Sequence, residues 1–162
     1  MASTVEIGSS PVESRGPWDR LRKTIENKTA TIGVIGLGYV GLPLIDAFVR
    51  AGFRCIGFDV DQSKIDVLAA GDTYIDHVPA SAIQGWLKKK QFVPTADMRR
   101  LSEPDDILIC VPTPLSASRD PDLPSVQATA RQITQTLRPG QPTCLANTTC
   151  PRTPRDLLLP IR

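Results

Sequence analysis

The sequence has few of the residues from which metal centres and disulfide frameworks are built. Its 162 residues include one histidine, His77, and four cysteines, of which no two are spaced as a C-x-x-C pair. A single histidine excludes a multi-histidine metal site within the chain, and we interpret His77 as an ordinary loop residue. Cys55, Cys110 and Cys144 fall in predicted buried strands. Together with Cys150, they are expected to be free thiols of a reducing cytoplasm rather than disulfide partners or metal ligands.

Long apolar runs and an excess of one charge are also absent. No segment approaches the roughly 20 apolar residues of a membrane-spanning helix, and the first residues lack the basic-then-apolar layout of a signal peptide. The 19 basic and 17 acidic residues are intermixed and give a net charge of +2, so no general attraction to nucleic acid follows. We therefore expect one cytoplasmic domain with neither membrane nor nucleic acid as a partner. Lys88, Lys89 and Lys90 are interpreted as a solvated helix end rather than a nucleic-acid patch.

What the sequence does contain is a glycine-rich turn between an apolar strand and a helical pattern. Residues 36–41 read Gly-Leu-Gly-Tyr-Val-Gly and follow the apolar run Thr31–Ile35. In a G-x-G-x-x-G turn, Gly36 permits the tight turn off the strand and Gly38 lets the backbone approach a pyrophosphate. Gly41 lets the helix pack against the strand. The start of the helix directs N–H groups and a partial positive charge at that anion. The turn predicts a dinucleotide site, and the alternative is a purely structural turn.

Two further features favour the dinucleotide site. The helix that follows, at about 41–51, carries an apolar stripe at helical spacing, made by Val40, Leu44, Ala47, Phe48 and Ala51. A second apolar run ends in Asp59, about 20 residues after the first glycine, where an acid can bind the hydroxyls of the adenosine ribose.

Strands and helices are predicted to alternate along the rest of the chain. Residues 1–16 are expected to be a disordered tail, and residues 17–30 a lead-in amphipathic helix that docks on its own domain through Trp18, Leu21 and Ile25. Further helices are expected after Asp61, around Ile83, over 126–137 and over 153–159. The predicted strands are 31–35, 54–58, 91–95, 106–111 and 143–146.

This alternation predicts an α/β protein with a Rossmann-type, doubly wound parallel sheet over 31–162. In such sheets the ligand lies at the carboxyl ends of the strands. The glycine turn, Asp59, Pro112-Thr113 and Asn147-Thr148-Thr149 all follow predicted strands, so we expect them to lie at one edge of the sheet.

Several motifs together resemble the UDP-glucose/GDP-mannose dehydrogenase family, and within it the UDP-N-acetylglucosamine 6-dehydrogenase branch. They are Gly36-Leu-Gly-Tyr-Val-Gly-Leu-Pro-Leu, Gly57-Phe-Asp-Val-Asp, Ile109-Cys-Val-Pro-Thr-Pro-Leu, Pro121-Asp-Leu and Asn147-Thr-Thr-Cys-Pro. The resemblance runs from about residue 18 to the end. It implies oxidation of a sugar C6 hydroxymethyl to a carboxylate in two NAD-dependent steps, with a catalytic cysteine holding a thiohemiacetal.

The resemblance also implies which residues hold NAD. Gly36, Gly38, Tyr39, Val40 and Gly41 would contact the pyrophosphate and adenosine side. Asp59 and Lys64 would lie around the adenosine ribose, and Thr113 and Thr148 would border the nicotinamide half.

Asp59 favours NAD over NADP, because its carboxylate would repel a 2′-phosphate. Lys64 is a cation that could tolerate such a phosphate, and the alternative for Lys64 is an exposed helix lysine. A broader 6-phosphogluconate-dehydrogenase-like reductase fits the strand-tip motifs less well.

The departures from the family pattern limit what the chain can do. The branch has Glu-Ser-Thr-Thr-Tyr-Pro-Gly where this chain has Ala146-Asn-Thr-Thr-Cys-Pro-Arg152. The chain stops before the family's catalytic cysteine, lysine and asparagine and its central and C-terminal substrate domains. Cys150 is interpreted as a structural or surface thiol.

We therefore predict an incomplete domain, truncated after about five strands, that contains no catalytic residue. Alone, it should bind NAD weakly and turn over nothing, and it would meet a UDP-sugar only with the missing domains. Its last strand would leave an open edge, and the alternatives that follow are dimerisation into a homo-oligomer, aggregation or dependence on a partner. The alternative is a non-catalytic nucleotide-binding module, or a degenerate remnant of such an enzyme.

Overall fold

The computed structural model of the protein describes residues 17–111, 131, 135, 136, 138 and 141–146. The predicted tail at 1–16, the strand tips that carry Thr113 and Thr148, Cys150 and the helix predicted over 153–159 lie outside these residues. Most of the helix predicted over 126–137 also lies outside them.

Helices and strands alternate through the described chain. The helices are α1 (Pro17–Glu26), α2 (Gly41–Arg50), α3 (Gln62–Ala69) and α4 (Ala80–Lys88), and a short 3₁₀ helix spans Met98–Ser102. The strands are β1 (Thr31–Ile35), β2 (Arg54–Phe58), β3 (Phe92–Thr95), β4 (Asp106–Ile109) and β5 (Thr143–Leu145). Each strand lies where the sequence predicts it, with ends that differ by at most two residues.

The strands form one parallel sheet in the order β3-β2-β1-β4-β5. The chain first builds outward from β1 to β2 and β3, and then crosses back to add β4 and β5 on the other side. Ile35, the last residue of β1, pairs with both Phe58 of β2 and Ile109 of β4. Three strands therefore end at one level around the point where the direction of sheet building reverses, the usual place for a ligand in such sheets.

Both faces of the central strands β1 and β2 are buried, so these strands are continuous apolar runs rather than alternating ones. Ile32 and Val34 of β1 pack on one face with α2, α3 and α4. Ile35 lies on the opposite face, with Ile107 and Ile109 of β4 and with Leu101 of the 3₁₀ helix. The sequence prediction of an α/β, Rossmann-type doubly wound sheet is confirmed by this arrangement.

The buried face of α2 differs from the predicted stripe. Leu42, Ile45 and Val49 are buried, whereas Val40 and Ala47 of the predicted stripe are exposed. The helix is apolar on nearly all sides, so two different faces satisfy helical spacing and periodicity alone cannot choose between them. The prediction of a helix was correct, but the prediction of which side of the helix is buried was wrong.

The docking of α1 matches the prediction only in part. Trp18 is 64% exposed and Ile25 is 42% exposed, whereas Leu21 is half-buried, so the domain covers only part of the apolar stripe of α1. The helix is joined to the domain through its last turn, where the N–H of Ala30 donates to the carbonyl of Thr24 at 3.1 Å. An amphipathic pattern indicates an apolar face without indicating what covers it.

Two of the three cysteines predicted in buried strands are buried. Cys55 and Cys110 lie in the core, but Cys144 in β5 is exposed, and that part of the prediction was wrong. Within the described chain β5 pairs only with β4, so it is an edge strand and less enclosed than its neighbours.

Candidate functional site

The glycine turn, residues 36–41, leaves the carboxyl end of β1 at the reversal point of the sheet. Gly36 has a positive φ of 91°, a conformation that favours glycine, and its N–H donates to the Phe58 carbonyl at 2.8 Å. A Cβ added at Gly36 would lie 2.8 Å from the Cys110 carbonyl oxygen. Both the backbone conformation and the closeness of the Cys110 backbone, just after β4, therefore require glycine at this position.

The other two glycines of the turn face different surroundings. A Cβ built on Gly38 would meet no heavy atom of the described residues within 4 Å. A Cβ built on Gly41 would overlap the Gly36 carbonyl oxygen and lie 3.2 Å from the Val34 side chain. Gly41 therefore has to be glycine because the turn and β1 pack closely around it, whereas the described part of the chain gives no steric reason for glycine at Gly38.

Asp59 connects the end of β2 to the glycine turn. Asp59 is only 6% exposed, and its Oδ2 accepts a hydrogen bond from the Leu37 N–H at 2.9 Å. The same oxygen accepts from Lys64 Nζ at 3.1 Å, and Oδ1 accepts from the Asp61 N–H at 3.0 Å. A carboxylate can accept about four hydrogen bonds, so Asp59 keeps capacity for a further donor.

Lys64 reaches Asp59 from the first turn of α3. Asp61 caps that helix by accepting the Ser63 N–H at 3.0 Å, as the sequence predicts. The Lys64 ammonium forms an ion pair with the buried Asp59 carboxylate. Lys64 is therefore not simply an exposed helix lysine, the alternative that the sequence left open.

The N-terminus of α2 opens toward the same edge. Val40 stands at the N-cap position, its side chain makes no capping hydrogen bond, and the first turn of α2 contains no acidic residue. The partial positive charge of the helix start is therefore not neutralised by a local side chain. Tyr39 and Val40 are 79% and 51% exposed, which places two apolar side chains beside this helix end.

Tyr74, in the loop between α3 and α4, is a residue of this region that the sequence did not single out. Its hydroxyl donates to the Leu37 carbonyl at 2.7 Å, across 37 positions of sequence. Burial, with the negative charges of Asp59 and Asp61 nearby, raises the pKa of the Tyr74 hydroxyl. The hydroxyl thus remains a protonated donor at neutral pH. No local pattern in the sequence marks this long-range contact.

The buried thiols are not activated. Burial raises the pKa of Cys55 to about 12, and burial together with Cys144 raises that of Cys110 to about 11. A thiol with a raised pKa is protonated at neutral pH and is a poor nucleophile.

His77 lies exposed in a turn of the α3–α4 loop, as predicted.

The described residues contain no cluster of three or more His, Cys, Asp or Glu able to hold a metal ion. In the same part of the chain, no helix has the length and apolar character needed to cross a bilayer.

The structure thus brings the residues of the predicted adenosine and pyrophosphate side to one edge of the sheet. They are Gly36, Gly38, Tyr39, Val40, Gly41, Asp59 and Lys64. Thr113 and Thr148 lie outside the described residues, so the nicotinamide side remains a prediction.

Several known proteins with similar sequences or structures are nucleotide-sugar dehydrogenases. The UDP-N-acetyl-D-mannosamine dehydrogenase of Salmonella typhimurium strain LT2 is 35% identical over 123 residues, which make up 73% of this chain and 28% of that protein. The NDP-N-acetyl-D-galactosaminuronic acid dehydrogenase of Ralstonia nicotianae is 33% identical over 135 residues, 78% of this chain and 29% of that protein. The crystal structure of a GDP-mannose dehydrogenase from Pseudomonas aeruginosa superposes with a TM-score of 0.76 at 27% identity. That superposition covers 80% of this chain and 31% of the Pseudomonas chain.

The chain spans less than a third of the length of each of these proteins. A sequence profile of the UDP-glucose/GDP-mannose dehydrogenase family, NAD binding domain, matches residues 30–162. The family predicted from the sequence motifs is thereby confirmed. This chain belongs to the UDP-glucose/GDP-mannose dehydrogenase family and carries its NAD-binding domain.

Proposed function

We propose that this chain binds NAD at the edge formed by the glycine turn, Asp59 and Lys64, and supplies the cofactor half of a UDP-sugar 6-dehydrogenase. The observation that carries the proposal is the buried Asp59 carboxylate, which joins the turn to Lys64 where sheet building reverses. A purely structural turn would need no carboxylate of this kind, because the Leu37 N–H could be satisfied by a neutral acceptor at lower desolvation cost.

The surroundings of the turn fit a dinucleotide pyrophosphate. The space around Gly38 leaves room for phosphate oxygens to approach the backbone, and the start of α2 lacks both a capping side chain and an acid. N–H groups at such a helix start bind anions well. In this arrangement Gly36 and Gly41 shape the turn, and the Gly38 backbone and the Gly41 N–H at the start of α2 hold the pyrophosphate. The Leu42 and Leu44 N–H groups already donate to backbone carbonyls, and Pro43 has no N–H.

The remaining residues would bind the adenosine half. Asp59 would accept a ribose hydroxyl with its remaining capacity, while the ion pair with Lys64 holds the carboxylate in place. Tyr39 and Val40 would cover the cofactor with their exposed apolar surface. Asp59 also disfavours the 2′-phosphate of NADP. When bound, NAD supplies the hydride acceptor, and Thr113 and Thr148 would lie at its nicotinamide side.

The substrate of the whole enzyme is proposed as a UDP-N-acetylhexosamine, oxidised at its C6 hydroxymethyl. The branch resemblance of the motifs supports UDP-N-acetylglucosamine, and the name of the Salmonella relative supports UDP-N-acetylmannosamine. Turnover requires a sugar held against the nicotinamide, and the relatives carry more than two thirds of their length beyond this match. The chain alone is therefore expected to bind cofactor without oxidising either sugar nucleotide.

Calorimetric titration of the purified chain with NAD tests the proposal. We expect saturable NAD binding at up to millimolar concentration and weaker binding of NADP. Asp59→Asn should weaken NAD binding at least tenfold, and Lys88→Ala, at the exposed end of α4, serves as the matched control and should not change it.

Absence of binding at millimolar NAD would contradict the proposal and favour a degenerate remnant. Formation of NADH from either UDP-N-acetylhexosamine by this chain alone would contradict its expected catalytic incompetence.

A further inference from the structure

The peptide groups on either side of Leu37 are held by side chains from two other elements. The Leu37 N–H donates to Asp59 Oδ2 at the end of β2, and the Leu37 carbonyl accepts from the Tyr74 hydroxyl. The Leu37 side chain is itself fully buried in the core. Leu37, at the centre of the glycine turn, is therefore held at its N–H, its carbonyl and its side chain. Tyr74 contributes the hydrogen bond to the carbonyl.

The loop that carries Tyr74 is built to hold that side chain in one place. Gly71 takes a positive φ of 79°, and its carbonyl accepts from Gln84 Nε2 of α4 at 3.1 Å. Thr73 Oγ1 accepts the Ile75 N–H at 3.1 Å, and Ile75 is buried at 2% exposure. Because the loop is tied to α4 and to the core, the Tyr74 hydroxyl has a defined position beneath the turn.

The hydrogen bond from Tyr74 determines the direction of the next N–H group. In a trans peptide the carbonyl of one residue and the N–H of the following residue point in opposite directions, and the described chain contains no cis peptide bond. With the Leu37 carbonyl directed at Tyr74, the Gly38 N–H points away from it. Among the described residues, this N–H donates to no acceptor. It is therefore available to a ligand.

We propose that Tyr74 is a positioning residue of the cofactor site, which holds the Leu37 carbonyl so that the Gly38 N–H is presented to the pyrophosphate. The proposal rests on the proposed NAD site and adds a residue from outside the glycine turn to it. Without the Tyr74 hydroxyl, the peptide between Leu37 and Gly38 can rotate and direct a carbonyl oxygen at the phosphate instead. A carbonyl oxygen repels a phosphate, so rotation costs affinity for the anionic part of the cofactor.

The variant Tyr74→Phe removes the hydroxyl and keeps the ring that packs on the core. Its affinity for NAD is expected to fall about fivefold, the size of effect expected from one neutral hydrogen bond. Its affinity for adenosine, which has no phosphate, is expected to stay the same. The matched control is Thr24→Val, which removes a hydroxyl and its hydrogen bond from α1 without touching Leu37 or the loop that carries Tyr74. The control should bind NAD as the wild-type chain does.

Calorimetry on the three proteins separates the outcomes. Equal NAD affinity in wild type and Tyr74→Phe would overturn the positioning role and leave the NAD site intact. An equal loss for adenosine and NAD would also overturn it, because that pattern reports general loosening of the domain. A wild-type chain that binds no NAD would contradict the proposed function itself.

A measurement on the wild-type chain decides the matter should Tyr74→Phe fail to fold. Inorganic pyrophosphate is titrated into ¹⁵N-labelled protein while the amide resonances are followed. The Gly38 amide is expected to show one of the largest shifts. A Gly38 amide that stays unshifted while other amides of the turn respond would overturn the proposal.

Discussion

Gly38 and Gly41 belong to one motif, yet the structure gives them different constraints. Space around Gly38 is open, whereas a methyl group on Gly41 would overlap the Gly36 carbonyl oxygen. Neither residue has the positive φ that Gly36 has. Packing within the fold therefore explains why residue 41 is glycine. At residue 38 the described structure gives no such reason, and a bound ligand would supply one.

The variants Gly38→Ala and Gly41→Ala should separate binding from folding. Gly38→Ala is expected to keep its free energy of unfolding within about 1 kcal/mol of wild type and to lose NAD affinity at least tenfold, because its methyl group occupies space meant for the phosphate. Gly41→Ala is expected to lose about 3 kcal/mol of stability through overpacking against backbone. Urea unfolding and calorimetry on both variants provide the comparison.

Two results would contradict these roles of Gly38 and Gly41. If Gly38→Ala binds NAD as the wild type does, the open space at Gly38 does not face the pyrophosphate. If Gly41→Ala unfolds at the same urea concentration as the wild type, the turn tolerates the overlap by shifting.

At the residue scale, the residues of the glycine turn and Asp59 could be predicted from the sequence, because they belong to a motif. Tyr74 could not, because its role depends on a contact with a residue far away in the sequence. Asp59 and the glycines could be predicted because the G-x-G-x-x-G turn and the acid about 20 residues later are a recurrent pattern. Tyr74 contacts Leu37 across 37 positions. No periodicity or spacing encodes that pairing, because it depends on how the α3–α4 loop folds back.

The same limit applies at the scale of elements. The strands were predicted well, since strands buried on both faces read as continuous apolar runs bounded by turn residues. The faces were predicted less well. The residues of α2 are apolar on most sides of the helix, so the sequence does not indicate which side is buried. The exposure of Cys144 depends on the position of β5 at the edge of the described sheet.

Two tryptophans on different helices give an element-scale prediction. Trp86 in α4 is buried and packs edge-to-face on Phe92 with ring centroids 5.7 Å apart, whereas Trp18 in α1 is exposed. Trp86→Ala should lower the free energy of unfolding by about 3–5 kcal/mol, and Trp18→Ala should change it by less than about 0.5 kcal/mol. Urea unfolding followed by circular dichroism measures both.

A large loss of stability in Trp18→Ala would show that α1 is held against the domain in solution. A small loss in Trp86→Ala would mean that α4 contributes little to the core. Either result would contradict the packing described above.

At the scale of the whole molecule, sheet order explains why the predicted residues meet. The order β3-β2-β1-β4-β5 puts β1 at the reversal point and brings the ends of β2 and β4 beside it. Separate motifs along the chain thus converge on one edge. Strand order could not be read from the sequence directly, but alternating strands and helices favour right-handed crossovers, which leave few alternatives.

The central claim is that NAD occupies the edge formed by residues 36–41 and 59–64. The most direct test is to follow the amide resonances of the ¹⁵N-labelled chain during titration with NAD. We expect the largest shifts in those two segments, with smaller shifts around Tyr74 and none at the opposite, amino-terminal edge of the sheet, near Thr31 and Asp105. Shifts that spare residues 36–41 and 59–64, or that concentrate at the amino-terminal edge, would contradict the account.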